Sequence, residues 1–189
     1  AGIFDVSHMG EFIISGPASE KFMQLVTIND VSTLICGQAQ YSAMCDNNGG
    51  IIDDIIIYKK DNGFMMVVNA SNIDKNFDWL KSVLIEGVTL KNVSMDFGLI
   101  AIQGPSSRKI LQSIIEQDIS NLQFYHFIDG IDIAGNQALI SRTGYTGELG
   151  FEIYASMGSI KKIWDNLIEE GSQDGLIPAG LGCRDTLRL

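Results

Sequence analysis

A chain of 189 residues, 46% hydrophobic and 19% charged, has enough apolar material to bury a core as one ordinary domain or two small ones, and is not composed like a disordered segment. Its formal net charge of −10 repels phosphate backbones and argues against nucleic acid as a partner. No apolar run approaches the length needed to cross a membrane.

In chain order, "GEFIISG" predicts a strand, and "GPASEKFMQLV" predicts a helix with Pro17 in its first turn and Phe22, Leu25 and Val26 on one face. "QAQYSAMC" reads as a strand, "DNNGG" as a turn and "IIDDIIIY" as a second strand. "DNG" at 61–63 is a hairpin signal before "FMMVVN". "SNIDKNFDWLKSVL" predicts an amphipathic helix capped by Ser71 or Asn72. A strand at "FGLIAIQG", a helix at "GPSSRKILQSII", and strands at "FIDGIDIAG" and "NQALISR" follow. Beyond the loop "TGYTGELG" come the strand "FEIY" and the helix "SIKKIWDNLIEE".

The halves resemble each other. "GPASEKFMQ" and "GPSSRKILQ" share Gly, Pro, Ser, Lys and Gln, and "NAS" and "YAS" precede helices that each carry a tryptophan, Trp79 and Trp164. Hairpins mixed with helices predict an α+β fold built from two related strand-and-helix subdomains, an internal duplication. The abrupt ends, "AGIFDVSHMGEF" and "GCRDTLRL", predict a piece of a longer protein. Cys36, Cys45 and Cys183 show no framework spacing, and with only two histidines no zinc pattern emerges; mostly buried free thiols in a reducing compartment are expected.

Two carboxylates, Asp53 and Asp54, sit inside a run of isoleucines. Strand neighbours point to opposite faces, so Asp53 shares a face with Ile51, Ile55 and Ile57, and Asp54 with Ile52, Ile56 and Tyr58. Both faces are apolar, which predicts a strand covered on both sides with at least one Asp partly desolvated. Such a carboxylate is held by structural hydrogen bonds or serves a site; the competing reading puts both at the wet end of the strand, beside Gly49-Gly50. Glu152, between Phe151 and Ile153, poses the same choice between an outward strand position and a site. The three glycines of "RTGYTGELGFE" allow close approach of a ligand to backbone, without the spacing of a phosphate loop. His8 is open to reading as a general base or as a hydrogen-bonded structural residue, and Met9 as core or as ligand contact.

Six stretches together, "GIFDVSHMGEF", "NNGGIIDDIIIYK", "VVNASN", "AIQGP", "SRTGYTGELGFEIY" and "PAGLGCRDTLRL", resemble the aminomethyltransferase family of the glycine cleavage system, the T-proteins, in the family's order and over essentially the whole chain. The resemblance implies a tetrahydrofolate-binding core of two α+β subdomains, 1–95 and 96–189, with the family's C-terminal domain outside this sequence. It implies transfer of the aminomethyl carbon from the lipoyl arm of a carrier, the H-protein, to tetrahydrofolate with release of ammonia. No metal is implied. The implied location is the cytoplasm, or the mitochondrial matrix in a eukaryote.

By the same resemblance Asp54 is the catalytic aspartate, placed to orient the nucleophile, relay a proton or stabilise developing positive charge. Glu152 is the pterin-binding glutamate, because a carboxylate accepts two adjacent N–H groups at once. Arg184 is a folate-contacting arginine, and Tyr145, Tyr41, Asn69 and Met9 line the pocket. The sequence departs from the family at Leu149, where Asp is common, and at Cys183, where Ala is usual. A folate-dependent demethylase, a sarcosine-type dehydrogenase domain and a non-catalytic folate-binding module are the alternatives.

Overall fold

The alternation of apolar residues resolves into eleven strands and five helices in a computed structural model, which describes residues 1–187. In chain order these are β1 (Gly2–Asp5), β2 (Gly10–Ser15), α1 (Ser19–Val26), β3 (Ala39–Cys45), β4 (Ile51–Lys60), β5 (Gly63–Val68), α2 (Ile73–Ser82) and β6 (Thr89–Asn92). Then follow β7 (Phe97–Gln103), α3 (Ser107–Ser113), β8 (Phe127–Ile133), β9 (Asn136–Ser141), β10 (Gly150–Ser156), α4 (Met157–Gly171), β11 (Ile177–Pro178) and α5 (Leu181–Thr186). This is the mixed α+β class the sequence predicts.

The chain divides into two units, His8–Ser94 and a second made of Ala1–Ser7 with Met95–Leu189. In the first, a five-stranded sheet has the order β3-β4-β5-β2-β6. Its core face carries Phe12, Ile14, Met66 and Val68, packed with Phe22, Met23 and Val26 of α1 and Leu80 of α2. Ser19, Phe22, Met23 and Val26 form the i, i+3, i+4, i+7 stripe of α1. Leu25, expected on that stripe, falls outside it and is 64% exposed.

The second unit has a six-stranded sheet in the order β11-β1-β7-β10-β9-β8. Ile100, Ile102, Phe151 and Ile153 pack there with Ile110 and Leu111 of α3 and Ile163 and Leu167 of α4. The two sheets share an order: β3-β4-β5-β2 corresponds to β8-β9-β10-β7, each run antiparallel, with a glycine-proline turn and a helix after β2 and after β7. Residues 1–7 belong to the second unit because β1 pairs antiparallel with β7, Gly2 opposite Gln103 and Asp5 opposite Ile100.

Two further expectations are corrected. The thiols form no disulfide among the described residues but are not mostly buried: Cys36 and Cys183 are exposed and Cys45 half-buried. Cys36 lies in the connection before β3, its Sγ 2.9 Å from Asp61 Oδ1, and Cys183 sits on α5, none of whose residues is buried. Nor is β4 covered on both faces along its whole length, since the face of Asp54 is closed only at Tyr58, which is 0% exposed. Asp53, Ile55 and Ile57 are buried, whereas Ile52 and Ile56 are half-buried and Asp54 is exposed.

Candidate functional site

Within the first unit, β4 carries the two aspartates to opposite faces, with opposite outcomes. Asp53 is 5% exposed. A carboxylate there needs donors, and four reach it: the backbone N–H of Asn69 (3.2 Å) and the side-chain amides of Asn69 (2.9 Å), Asn72 (2.8 Å) and Asn76 (2.5 Å). Asn72 holds the N-cap position of α2 as expected, but its side chain bonds Asp53 rather than capping the helix.

Asp54 faces outward. In the sheet it lies opposite Ala43 of β3, and the small alanine leaves room for Tyr41, two residues along the same face, to reach across diagonally. The Tyr41 phenol donates to Asp54 Oδ2 at 2.9 Å, and the Asn69 amide lies 2.9 Å from Oδ1. The structure thus brings together three of the seven candidates, Asp54, Tyr41 and Asn69. An exposed carboxylate fixed by two neutral donors can orient a nitrogen nucleophile, take a proton, or offset positive charge. Met9 lies half-buried in the turn that leads into β2, and His8 beside it is exposed.

Within the second unit, Glu152 on β10 stands opposite Ser141 of β9 and Ala101 of β7. It is 7% exposed, so it is not an outward, solvated strand residue. Burial pushes its carboxyl above the ordinary range, and a hydrogen bond from Thr143 works in the opposite direction. Thr143 Oγ1 is also 3.0 Å from Ser141 Oγ. Tyr125 is close enough that the Glu152 charge, after burial, adds to the rise in its own pKa.

The glycine loop above β10 is built on Gln103, the last residue of β7. The Gln103 amide donates to the carbonyls of Thr143 and Phe151 and accepts from Thr146. A Cβ at Gly144 or Gly150 would stand 2.3 or 2.1 Å from Gln103 Oε1, so a side chain at either position would force the Gln103 amide to move. A cleft of about 400 Å³ opens beside this loop, lined by Phe124, Thr143, Gly144, Glu148 and Leu149 among others. Leu149, where the sequence departs from the T-protein pattern, uses its carbonyl to accept from Gly104 N–H and Ser107 Oγ, so main chain holds the loop there. Tyr145, on the same loop, is paired with Arg184 of α5, whose guanidinium carbon lies 3.9 Å from the ring centroid.

A larger cleft of about 810 Å³, with Glu116, Asp132 and Glu170 at its rim, contains none of the candidate residues. The size of that cleft is a poorer guide to chemistry than the buried carboxylate and its partners. Among the described residues no group of three or more His, Cys, Asp or Glu could hold a metal ion, and no helix is long and apolar enough to cross a membrane.

The sequence profile of the GCVT N-terminal domain matches residues 1–189. The chain belongs to that family. As a GCVT N-terminal domain it is 50% identical, over its whole length, to aminomethyltransferases of Natranaerobius thermophilus and Bacillus cereus, and it spans about half of those relatives, 52% of each. Among solved structures it resembles the glycine cleavage system aminomethyltransferase T of Bartonella henselae, with a TM-score of 0.87 at 29% identity over 99% of this chain and 50% of that one. A likeness of fold alone extends to the heterotetrameric sarcosine oxidase of Corynebacterium sp. U-96, at a TM-score of 0.65 and 15% identity over 90% of this chain and 83% of that one.

Asn72, Asn76, Ser141, Thr143, Gln103 and Tyr125 were not legible as site residues. Asn69, Asn72 and Asn76 did carry a signal, an i, i+3, i+7 spacing of amides that puts polar groups on one side of the segment entering α2.

Proposed function

We propose that this GCVT N-terminal domain is the tetrahydrofolate-binding portion of an aminomethyltransferase of the glycine cleavage system. The observation that carries the reading is the 50% identity to aminomethyltransferases over the whole length of this chain. In the proposed reaction the aminomethyl carbon of a dihydrolipoyl-bound carrier, the H-protein, passes to tetrahydrofolate, ammonia leaves, and the reduced carrier is released. The two units are proposed to derive from duplication, which their shared strand order supports.

The residues present fit a reduced pterin. A pterin edge offers an N–H and an amino group side by side, and Glu152 is a buried carboxylate that can accept both. Arg184 and Tyr145, stacked on each other, offer a planar cation and a ring edge to the polar parts of the ligand. Asp54 is the proposed catalytic residue. Tyr41 and Asn69 hold its carboxylate in one orientation, each by donating to a different carboxylate oxygen. Met9 is proposed to contribute apolar contact.

The test is ammonia release from aminomethyl-loaded H-protein by the full-length protein. Tetrahydrofolate-dependent release is expected; folate binding without release would instead support a non-catalytic module or a different folate reaction.

A further inference from the structure

Thr143 meets two oxygen atoms with one proton. Its Oγ1 lies within hydrogen-bond distance of both Glu152 Oε2 and Ser141 Oγ. When Glu152 is ionised it only accepts, so in that state Thr143 gives its one proton to Glu152 and the Ser141 hydroxyl donates to Thr143. The three side chains form a directed line, Ser141 to Thr143 to Glu152. It is almost wholly buried, Ser141 being 0% exposed, Thr143 2% and Glu152 7%, and Thr143 lines the cleft beside the glycine loop. Ser141 and Thr143 approach from the β9 side and Ala101 from β7, and Tyr125 is the titratable neighbour that senses its charge.

We propose that Thr143, backed by Ser141, is a positioning residue that holds the Glu152 carboxylate in its ionised form and in one rotamer, so that it recognises a ligand edge presenting two adjacent N–H donors. This rests on the folate reading above. Burial alone favours a protonated Glu152, which carries an O–H of its own and mismatches a donor–donor edge. The Thr143 hydroxyl opposes that drift by donating to the charged form. Loss of the hydroxyl therefore shifts ionisation of the carboxyl to higher pH. Binding of a donor–donor edge should then rise only at higher pH, as the carboxyl ionises.

The test uses the full-length protein with Thr143→Val, Thr143→Ser and Ser141→Ala, and two measurements. The first follows ionisation of Glu152 by carbon-13 NMR of labelled glutamate, without ligand. The midpoint should move up in Thr143→Val, return in Thr143→Ser and move slightly up in Ser141→Ala. An unchanged midpoint in Thr143→Val overturns the proposal. The second is calorimetric titration with tetrahydrofolate across the same pH range. Affinity near pH 7 should fall about tenfold in Thr143→Val and recover at higher pH and in the serine variant. A loss equal at every pH overturns the proposal and assigns Thr143 a packing role. Absence of tetrahydrofolate binding by the unsubstituted protein overturns the folate reading instead, and the NMR midpoint still decides whether Thr143 governs Glu152.

Discussion

Asp53 and Asp54, neighbours in β4, share one amide: the Nδ2 of Asn69 lies 2.9 Å from a carboxylate oxygen of each. It is also 3.1 Å from the Asp54 carbonyl, so two protons serve three acceptors. The buried aspartate is tied down by asparagines, and through one of them the order it creates reaches the exposed aspartate. Order on the buried face of the strand thus helps to fix the carboxylate on the other.

Replacing Asp54 by Asn should keep the shape of the cluster and remove the charge and the proton acceptor. The expected result in the full-length protein is a loss of transfer of about 100-fold or more, the range of a positioned acid–base group. Tetrahydrofolate affinity should stay within a few-fold. Steady-state ammonia release and calorimetry check the two halves of this expectation.

Glu152→Ala should weaken tetrahydrofolate binding by about 1–3 kcal/mol, the usual loss for a charged hydrogen-bonding partner. Calorimetry at pH 7 gives the number directly, and an unchanged affinity would remove Glu152 from the binding site.

Asp53→Ala should be a stability defect first. It strands the amides of Asn69, Asn72 and Asn76 around a new void, with Asn76 itself 0% exposed. A loss of about 3 kcal/mol or more in denaturant unfolding is expected.

Glu11 gives a pH dependence. It lies on β2, is 1% exposed, and its Oε2 has no hydrogen-bond partner. Burial lifts its carboxyl from 4.5 to about 8. The folded chain therefore keeps a proton that the unfolded chain releases above 4.5. The associated stability is complete at lower pH and is lost as pH climbs toward 8, by at most roughly 5 kcal/mol. Glu11→Gln should remove this slope, so its advantage over the unsubstituted chain should grow between pH 5 and pH 8 in unfolding measurements.

Gly150→Ala should disturb the glycine loop, since the added methyl meets the Gln103 side chain at 2.1 Å. Gln103→Ala in the same chain should relieve the clash while losing the bonds to Thr143 and Phe151. A double-mutant cycle on unfolding free energy should show strong coupling between the two positions.

Much of this was legible in the sequence, for reasons particular to each element. The hairpin at "DNG" and the strands around it follow from local turn chemistry and short-range alternation. Alternation also separates Asp53 from Asp54, but cannot say which face is buried when isoleucines flank both. That depended on Asn72 and Asn76, brought to the strand by α2. Glu152 carried the same ambiguity, and Thr143, nine residues earlier, resolves it. β6, "TLKN", escaped notice because it is mostly exposed and carries one apolar residue, and β11 because two residues leave no pattern. Leu25 was misplaced because the stripe of α1 runs through Met23 instead.

The first strand has a consequence for anyone who would cut this protein. Among the described strands β1 alone joins β11 to β7, although it lies at the opposite end of the sequence from β11. Trimming a handful of leading residues would therefore injure the far half and leave the near half whole. A clone spanning 8–94 keeps every strand of its sheet, whereas one that starts at 95 lacks a piece that nothing within it can replace.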